Sequence, residues 1–254
     1  MLVLSALPPP EDNVWYLAYG SNVYKEKFIH DRGIVPLSTL TVTVPGWVLA
    51  MDSAGFPYSD PAFGSISPVG TTSHEKIVQV IGTAYKLTPD MYAKVLASEG
   101  GGIAYAEVEI RAEPIPPDTS TTGTEDGEAT IAMRTLVTVM RREARPSTRY
   151  MGLIRNGARD AHMPADYQQF LARLPVYRPP TTRWGKIGAK LFQSFWNPVM
   201  SVMEKITKPS GRGDERGNAP LWVVYTVRAA VFLMWFHHDY FHAPIWGRGD
   251  GMEK

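Results

Sequence analysis

The apolar positions fall into short, well-separated runs. Val14-Trp15-Tyr16-Leu17-Ala18-Tyr19 is a continuous apolar and aromatic stretch that stops at Gly20, which predicts a buried strand entering a tight turn. Asn22 then opens a predicted short helix over 23–30. Leu37 to Met51, rich in Thr and Val and interrupted by Pro45-Gly46, reads as strand, bend, strand. Glycine, proline and serine dominate Phe56 to Thr72, which predicts a long loop. Ile77 to Leu87 is a strand by composition. Thr88-Pro89-Asp90 is a helix start, and the helix from Met91 to Ser98 stops at Gly100-Gly101-Gly102. Ile103 to Arg111 alternates as a strand does, and Ile131 to Met140 is another; the polar stretch 114–129 between them reads as a mobile hairpin excursion.

Helical patterns return at Thr148 to Asn156 and at Ala165 to Leu174. Beyond Pro175 the style changes. A helix-like stretch around Trp184 to Ile206 is followed by a Gly- and Arg-rich segment, 209–220, and then by a strongly apolar run, Leu221 to Phe236. The expected organisation is one domain over 13–175 and a C-terminal extension over 176–254. Strands alternating with helices place the domain in the mixed α/β class.

A chain of 254 residues, 44% hydrophobic, is long enough to bury a sizeable core. Its 26 basic and 25 acidic residues nearly cancel, so no global field recommends nucleic acid, and a small molecule is the default partner. With no cysteine there is no disulfide framework, thiolate nucleophile or sulfur-ligated zinc site. That composition fits a cytoplasmic protein. Residues Met1 to Pro10 lack the basic region of a signal peptide and read as a loose arm.

Two segments stand out chemically. In Tyr19-Gly20-Ser21-Asn22 a strand meets a glycine turn, whose backbone N–H groups can hold a carboxylate or an oxyanion; the plain alternative is a helix cap with a permissive glycine. In Ala97-Ser98-Glu99-Gly100 a carboxylate stands at a helix C-terminus, against the macrodipole, where stability alone would favour a basic residue. His237-His238-Asp239 and His242 invite a metal reading, since positions four apart share a helix face, but the acidic partner of the known zinc helix is missing and a structural role is preferred. Arg141, Arg142, Arg145 and Arg149 read as a solvated basic face.

Taken together, these blocks resemble a known family. Tyr16-Leu17-Ala18-Tyr19-Gly20-Ser21-Asn22 resembles the N-terminal signature of the γ-glutamylcyclotransferases, and Glu99-Gly100 stands where that family keeps its catalytic glutamate. Pro146-Ser147-Thr148-Arg149-Tyr150, Gly157-Ala158 and Met163-Pro164-Ala165-Asp166-Tyr167 are similar to its late segment, with Met163 replacing the usual Leu. The resemblance runs over about two thirds of the chain, and the long form is similar to fungal members associated with sulfur-containing secondary metabolites. It implies a mixed or mostly antiparallel sheet curling into a small barrel with helices outside. It also implies intramolecular attack of a substrate α-amine on its own γ-carbonyl, releasing 5-oxoproline, with no cofactor or metal. Glu99 would be general base and then acid. The backbone from Tyr16 through Leu17, Ala18, Tyr19 and Gly20 to Ser21 would bind the glutamyl group, with Tyr150 and, secondarily, Tyr105 donating hydroxyls. The Gly100-Gly101-Gly102 run is expected to loosen the turn that carries Glu99. A silent γ-glutamyl or small-anion binding protein of the same fold, and an enzyme acting on γ-glutamyl amines, are the competing readings.

Leu221 to Phe236 carries Arg228 as its one charge. A spanning helix needs about 20 apolar residues, and a mid-bilayer arginine costs roughly 3 kcal/mol, so a helix docked on the catalytic domain beside the pocket is favoured over membrane contact. The terminal aromatics Trp222, Tyr225, Trp235 and Phe236 suit an interface all the same.

Overall fold

A computed structural model describes residues 7–70, 78–116, 130–208 and 217–252. Six strands, β1 (Val14–Ala18), β2 (Ser38–Phe56), β3 (Asp60–Pro68), β4 (Gln79–Leu87), β5 (Tyr105–Pro114) and β6 (Ile131–Thr138), form one sheet in the order β3-β2-β4-β1-β6-β5. Pairing of β2 with β5 joins the ends, so five strands close a mixed barrel and β3 hangs on β2 outside the ring. The β1–β6 contact is parallel and the other pairings are antiparallel. The closing contact is short, Val42 with Pro114 and Thr43 with Glu113, and it gives each of the five ring strands a neighbour on both sides.

One strand makes this geometry. β2 is continuous over 19 residues, where the sequence suggests two strands ending at Met51. The bend at Pro45-Gly46 is real, with Gly46 at φ +78° and a register shift between Val44 and Val48. It lets one half pair with β4 inside the barrel and the other half pair with β3.

The expectation of a loop over Phe56 to Thr72 is wrong for its described residues: Asp60–Pro68 is strand, entered through a turn with Tyr58 at φ +63°. Its glycine, alanine and serines are small because other groups press on them, not because the chain is irregular. The single helix expected over 23–30 is likewise replaced by a 3₁₀ turn at Ser21–Val23 and an irregular helical stretch with a wide turn over Lys27–Asp31. Asn22 caps neither, because its side chain is engaged elsewhere.

The helices are α1 (Pro89–Ser98), α2 (Thr148–Asp160), α3 (Ala165–Arg173), α4 (Arg183–Thr207), α5 (Leu221–His237) and α6 (Ala243–Trp246). Thr88, Ser147 and Thr182 cap α1, α2 and α4 by accepting from the N–H groups of Met91, Tyr150 and Gly185. The excursion expected over 114–129 lies, from residue 117 on, outside the described residues.

Two hydrophobic cores result. The first fills the barrel and the groove under α1, α2 and α3, around Leu17, Phe28, Tyr85 and Met151. The second lies outside the barrel, where α4 and α5 press Phe192, Val223, Val227, Val231, Met234 and Trp235 against Tyr58, Ala62 and Ile103. Each such fully buried side chain contributes about 1.5–3 kcal/mol. No described helix is long and apolar enough to cross a membrane.

Candidate functional site

The end of β1 and the end of α1 meet at one cavity of about 470 Å³, although Gly20 and Glu99 lie far apart in sequence. Its floor and sides include Tyr16, Tyr19, Gly20, Ser21, Asn22, Gly64, Glu99, Tyr105 and Tyr150. Ile103, Met140, Val227 and Val231 make an apolar wall, and the two valines belong to α5.

Glu99 is the C-cap residue of α1 and is part-buried. Its Oε1 accepts from Asn22 Nδ2 at 2.9 Å and from Arg32 Nη2 at 2.5 Å. Arg32 Nε also donates to Asn22 Oδ1 at 2.9 Å, and Arg32 Nη1 donates to Ser98 Oγ. Asn22 Nδ2 further donates to the Tyr16 hydroxyl at 3.1 Å. The glutamate at the unfavourable end of a helix is thus held by a guanidinium and an amide, which fix one carboxylate oxygen and its orientation.

Tyr150 reaches the cavity from the first turn of α2. Its oxygen accepts from the Gly64 backbone N–H at 2.9 Å, and the Ser21 backbone also hydrogen-bonds to it. Burial pushes its pKa up to about 12, so the phenol keeps its proton, and with its oxygen already accepting it is set to donate. A Cβ on Gly20 would lie 2.9 Å from this oxygen and one on Gly64 3.0 Å from it. Gly20 sits at φ −101°, so close approach rather than an unusual φ is what requires glycine there. Burial also raises the pKa values of Tyr16, Tyr19 and Tyr105. The Tyr19 hydroxyl donates to the Leu136 carbonyl, and that of Tyr105 donates to the Gly64 carbonyl at 3.2 Å.

The glycine run is held, not loose. Gly100, Gly101 and Gly102 have φ of +87°, +56° and +84°, which non-glycine residues rarely adopt. Gly101 N–H donates to the Leu96 carbonyl at 2.8 Å, and its own carbonyl accepts from Ala219 N–H at 2.9 Å. Arg228 of α5 donates to the carbonyls of Ile103 and Gly102 at 2.9 and 3.0 Å. The C-terminal extension therefore grips the turn that follows Glu99.

Leu17 and Ala18 correct the expected binding segment. Neither lines the cavity: both are buried in the barrel, paired with Ala84 and Thr83, and the Leu17 carbonyl accepts from the Thr135 hydroxyl. The cavity-facing part begins with the rings of Tyr16 and Tyr19 and continues through Gly20, Ser21 and Asn22. Asn22 is part of the signature but lies one residue beyond the expected binding segment. Arg32, Val227 and Val231 carried no local signal, because the fold brings them in from a helical turn and from the extension.

The histidines face inward. His238 Nδ1 contacts Asp239 Oδ1 at 2.9 Å while Nε2 accepts from Gly249 N–H, and His242 Nε2 contacts the Gly188 carbonyl at 2.9 Å. His238, Asp239 and Asp250 offer atoms within 4.8 Å of one another, but Arg142 and Arg248 hold Asp239, and Arg248 also holds Asp250. The arginine cluster is not a free basic face either, since Arg141 pairs with Asp52 and Arg149 with Asp60.

A closed five-stranded barrel with the β1 turn and the α1 glutamate at one cavity places the molecule in the γ-glutamyl cyclotransferase fold. A solved γ-glutamyl cyclotransferase superposes with a TM-score of 0.51 at 18% identity, covering 68% of this chain and 92% of the other. A human protein described as uncharacterized gives 0.52 at 20% identity over 71% and 99%. Sequence carries the assignment further. The γ-glutamyl cyclotransferase aclK of Aspergillus oryzae is 46% identical, covering 99% of this chain and 95% of its own. The γ-glutamyl cyclotransferase gliK of Aspergillus fumigatus is 35% identical over 97% and 93%. Residues 182–245 match the family model of the AclK C-terminal domain. The chain belongs to the γ-glutamyl cyclotransferase family, in the long form of these fungal relatives.

Proposed function

We propose that the protein closes the glutamyl group of a γ-glutamyl amide on itself, releasing 5-oxoproline and the amine that was attached. The observation that carries this reading is the convergence of Glu99, the Gly20–Asn22 turn and Tyr150 on one cavity. The substrate's α-amine is the nucleophile, so the chain needs neither a thiol nor an activated serine. Glu99 accepts a proton from the α-ammonium and returns one to the leaving nitrogen, one group serving both steps. Asn22 and Arg32 bind Oε1, and the proton moves on Oε2. The Tyr150 hydroxyl and the backbone at Gly20–Ser21 hold the developing oxyanion or the α-carboxylate; one such donor contributes about 3 kcal/mol to the transition state. Residues 13–175 supply this chemistry, and the extension completes the apolar wall with Val227 and Val231. Ile103, Met140, Val227 and Val231 suit a leaving group bulkier and less polar than a single amino acid, such as a glutathione-derived conjugate.

The test is 5-oxoproline release from γ-glutamyl dipeptides, glutathione and bulky glutathione S-conjugates, by the native chain and by Glu99→Gln. The variant keeps the shape and loses the base, so kcat should fall on the order of 10²–10⁴-fold. Equal rates refute the mechanism, and no turnover on any substrate supports a silent binder.

A further inference from the structure

Helices α4 and α5 present an outer surface that none of the described residues covers. From Leu221 to Ile245 the exposed large residues are Leu221, Trp222, Tyr225, Phe232, Leu233, Phe236, Tyr240, Phe241 and Ile245. Every charge in that span turns inward: Arg228 to the glycine turn, Asp239 to Arg142 and Arg248. On α4, Trp184, Ile187, Leu191, Phe195 and Val202 form an exposed stripe at helical spacing. The two faces are continuous. Trp184 stacks on Trp246 and donates to the Ile245 carbonyl, while Phe195 meets His237, which stacks on Phe241.

A surface this apolar on a folded chain marks an interaction site. Its charged border identifies the partner. The exposed charges of α4 are Arg183, Lys186, Lys190 and Lys205, with Lys208 at the C-cap, against Glu204, which Lys208 pairs. Arg183, Lys186 and Lys190 each precede a residue of the apolar stripe, so a basic band flanks it. In a two-fold pairing of this face, α4 would offer the band only Glu204, which Lys208 already pairs, so a second copy is the poorer match for its charge.

We propose that the α4–α5 face lies on an anionic membrane surface, with the aromatic and aliphatic side chains in the headgroup and upper acyl region and the basic band among the acidic headgroups. This is the composition of an interfacial helix, with aromatics on the lipid side and lysines or arginines beside them. It is compatible with the absence of any described helix long enough to span. The contact would be peripheral and reversible, and it concerns a different surface from the cavity.

The test is flotation of the full chain with vesicles of phosphatidylcholine alone or with about 30% phosphatidylserine, across a range of salt. Association with the anionic vesicles, weakening as salt shortens the screening length, is expected. Lys186→Glu with Lys190→Glu should weaken it by about tenfold or more, each basic residue near such a surface being worth about fivefold. Phe232→Ser with Phe236→Ser should weaken binding to a similar degree while the melting temperature and 5-oxoproline release are unchanged. A measurement that needs no substitution is quenching of the exposed Trp184 and Trp222 by brominated lipid, which is expected to be strong. No flotation and no quenching overturns the proposal. So does a dimer in solution that the phenylalanine changes dissociate while flotation is unaffected, because the face then belongs to a second copy.

Discussion

The two cores solve the same problem with different chemistry. The barrel core is closed by backbone ladders, and the polar atoms at its end are hydroxyls, an amide and one carboxylate held by Arg32. The outer core is sealed by side-chain charge: Arg142, Asp239, Arg248 and Asp250 tie the helical stretch after α5, His238–His242, to residues 248–250 around the fully buried His238. The barrel places groups by strand register, which pH does not alter. The extension uses ionisable contacts, and through Val227 and Val231 it completes the apolar wall of the cavity while Arg228 grips the glycine turn. Glu99, fixed by Arg32, is the exception at the barrel end; the buried histidine lies in the extension, away from the groups that strand register places.

The largest expected effect lies in the extension. Burial pushes the pKa of His238 down to about 4. Between the ordinary value of about 6.5 and about 4 the unfolded chain binds a proton that the folded chain does not. Stability is therefore complete above about pH 6.5 and falls as pH drops toward 4, by on the order of 3 kcal/mol for this one residue. Burial lowers His237 and His242 in the same direction. Urea unfolding at pH 7.5 and pH 4.5 should show the loss, and His238→Gln should shrink the pH dependence; an unchanged slope in the variant would remove this contrast between the cores.

Next is Tyr150→Phe, which keeps the ring and takes away the hydroxyl that the backbone of Gly64 and Ser21 addresses. A fall in kcat of about a hundredfold is expected from steady-state kinetics, with the pH dependence of stability unchanged. Arg228→Met tests the grip between the regions. Losing two charge-assisted hydrogen bonds to the glycine turn should cost about 1–3 kcal/mol in denaturant unfolding and lower kcat by severalfold, although Arg228 does not line the cavity. The smallest effect is expected from Val231→Ala, which should change the ratio of kcat/KM between a bulky conjugate and a simple dipeptide by roughly threefold to thirtyfold. A uniform change for both substrates would mean that α5 supports the cavity without selecting what enters it.

How far the sequence reveals this arrangement follows from where the signals are local. The strand before Gly20, the helix start at Thr88 and the C-terminal helices are visible because periodicity and caps lie within a few residues of one another. β3 is hidden, since its small residues are demanded by Tyr150 and by the outer core, contacts that no window of sequence contains. Glu99, Tyr150 and the β1 turn are legible through motifs, and their meeting at one cavity agrees with that reading. Leu17 and Ala18 sit in the same motif yet serve the barrel, because a match to a motif does not say which of its members face the cavity. Arg32 and the α5 valines are invisible to local patterns, being recruited by tertiary packing alone.

The bonds from Arg228 to Gly102 and Ile103 have one more consequence. They make the inner face of α5 and the loop behind Glu99 a single mechanical unit, while the outer face of the same helix looks away from the cavity. Any occupant of that outer face that prefers one position of α5 must also prefer one arrangement of the loop. By thermodynamic linkage, a ligand in the cavity then changes the affinity of that occupant by the same factor as the occupant changes the affinity of the ligand.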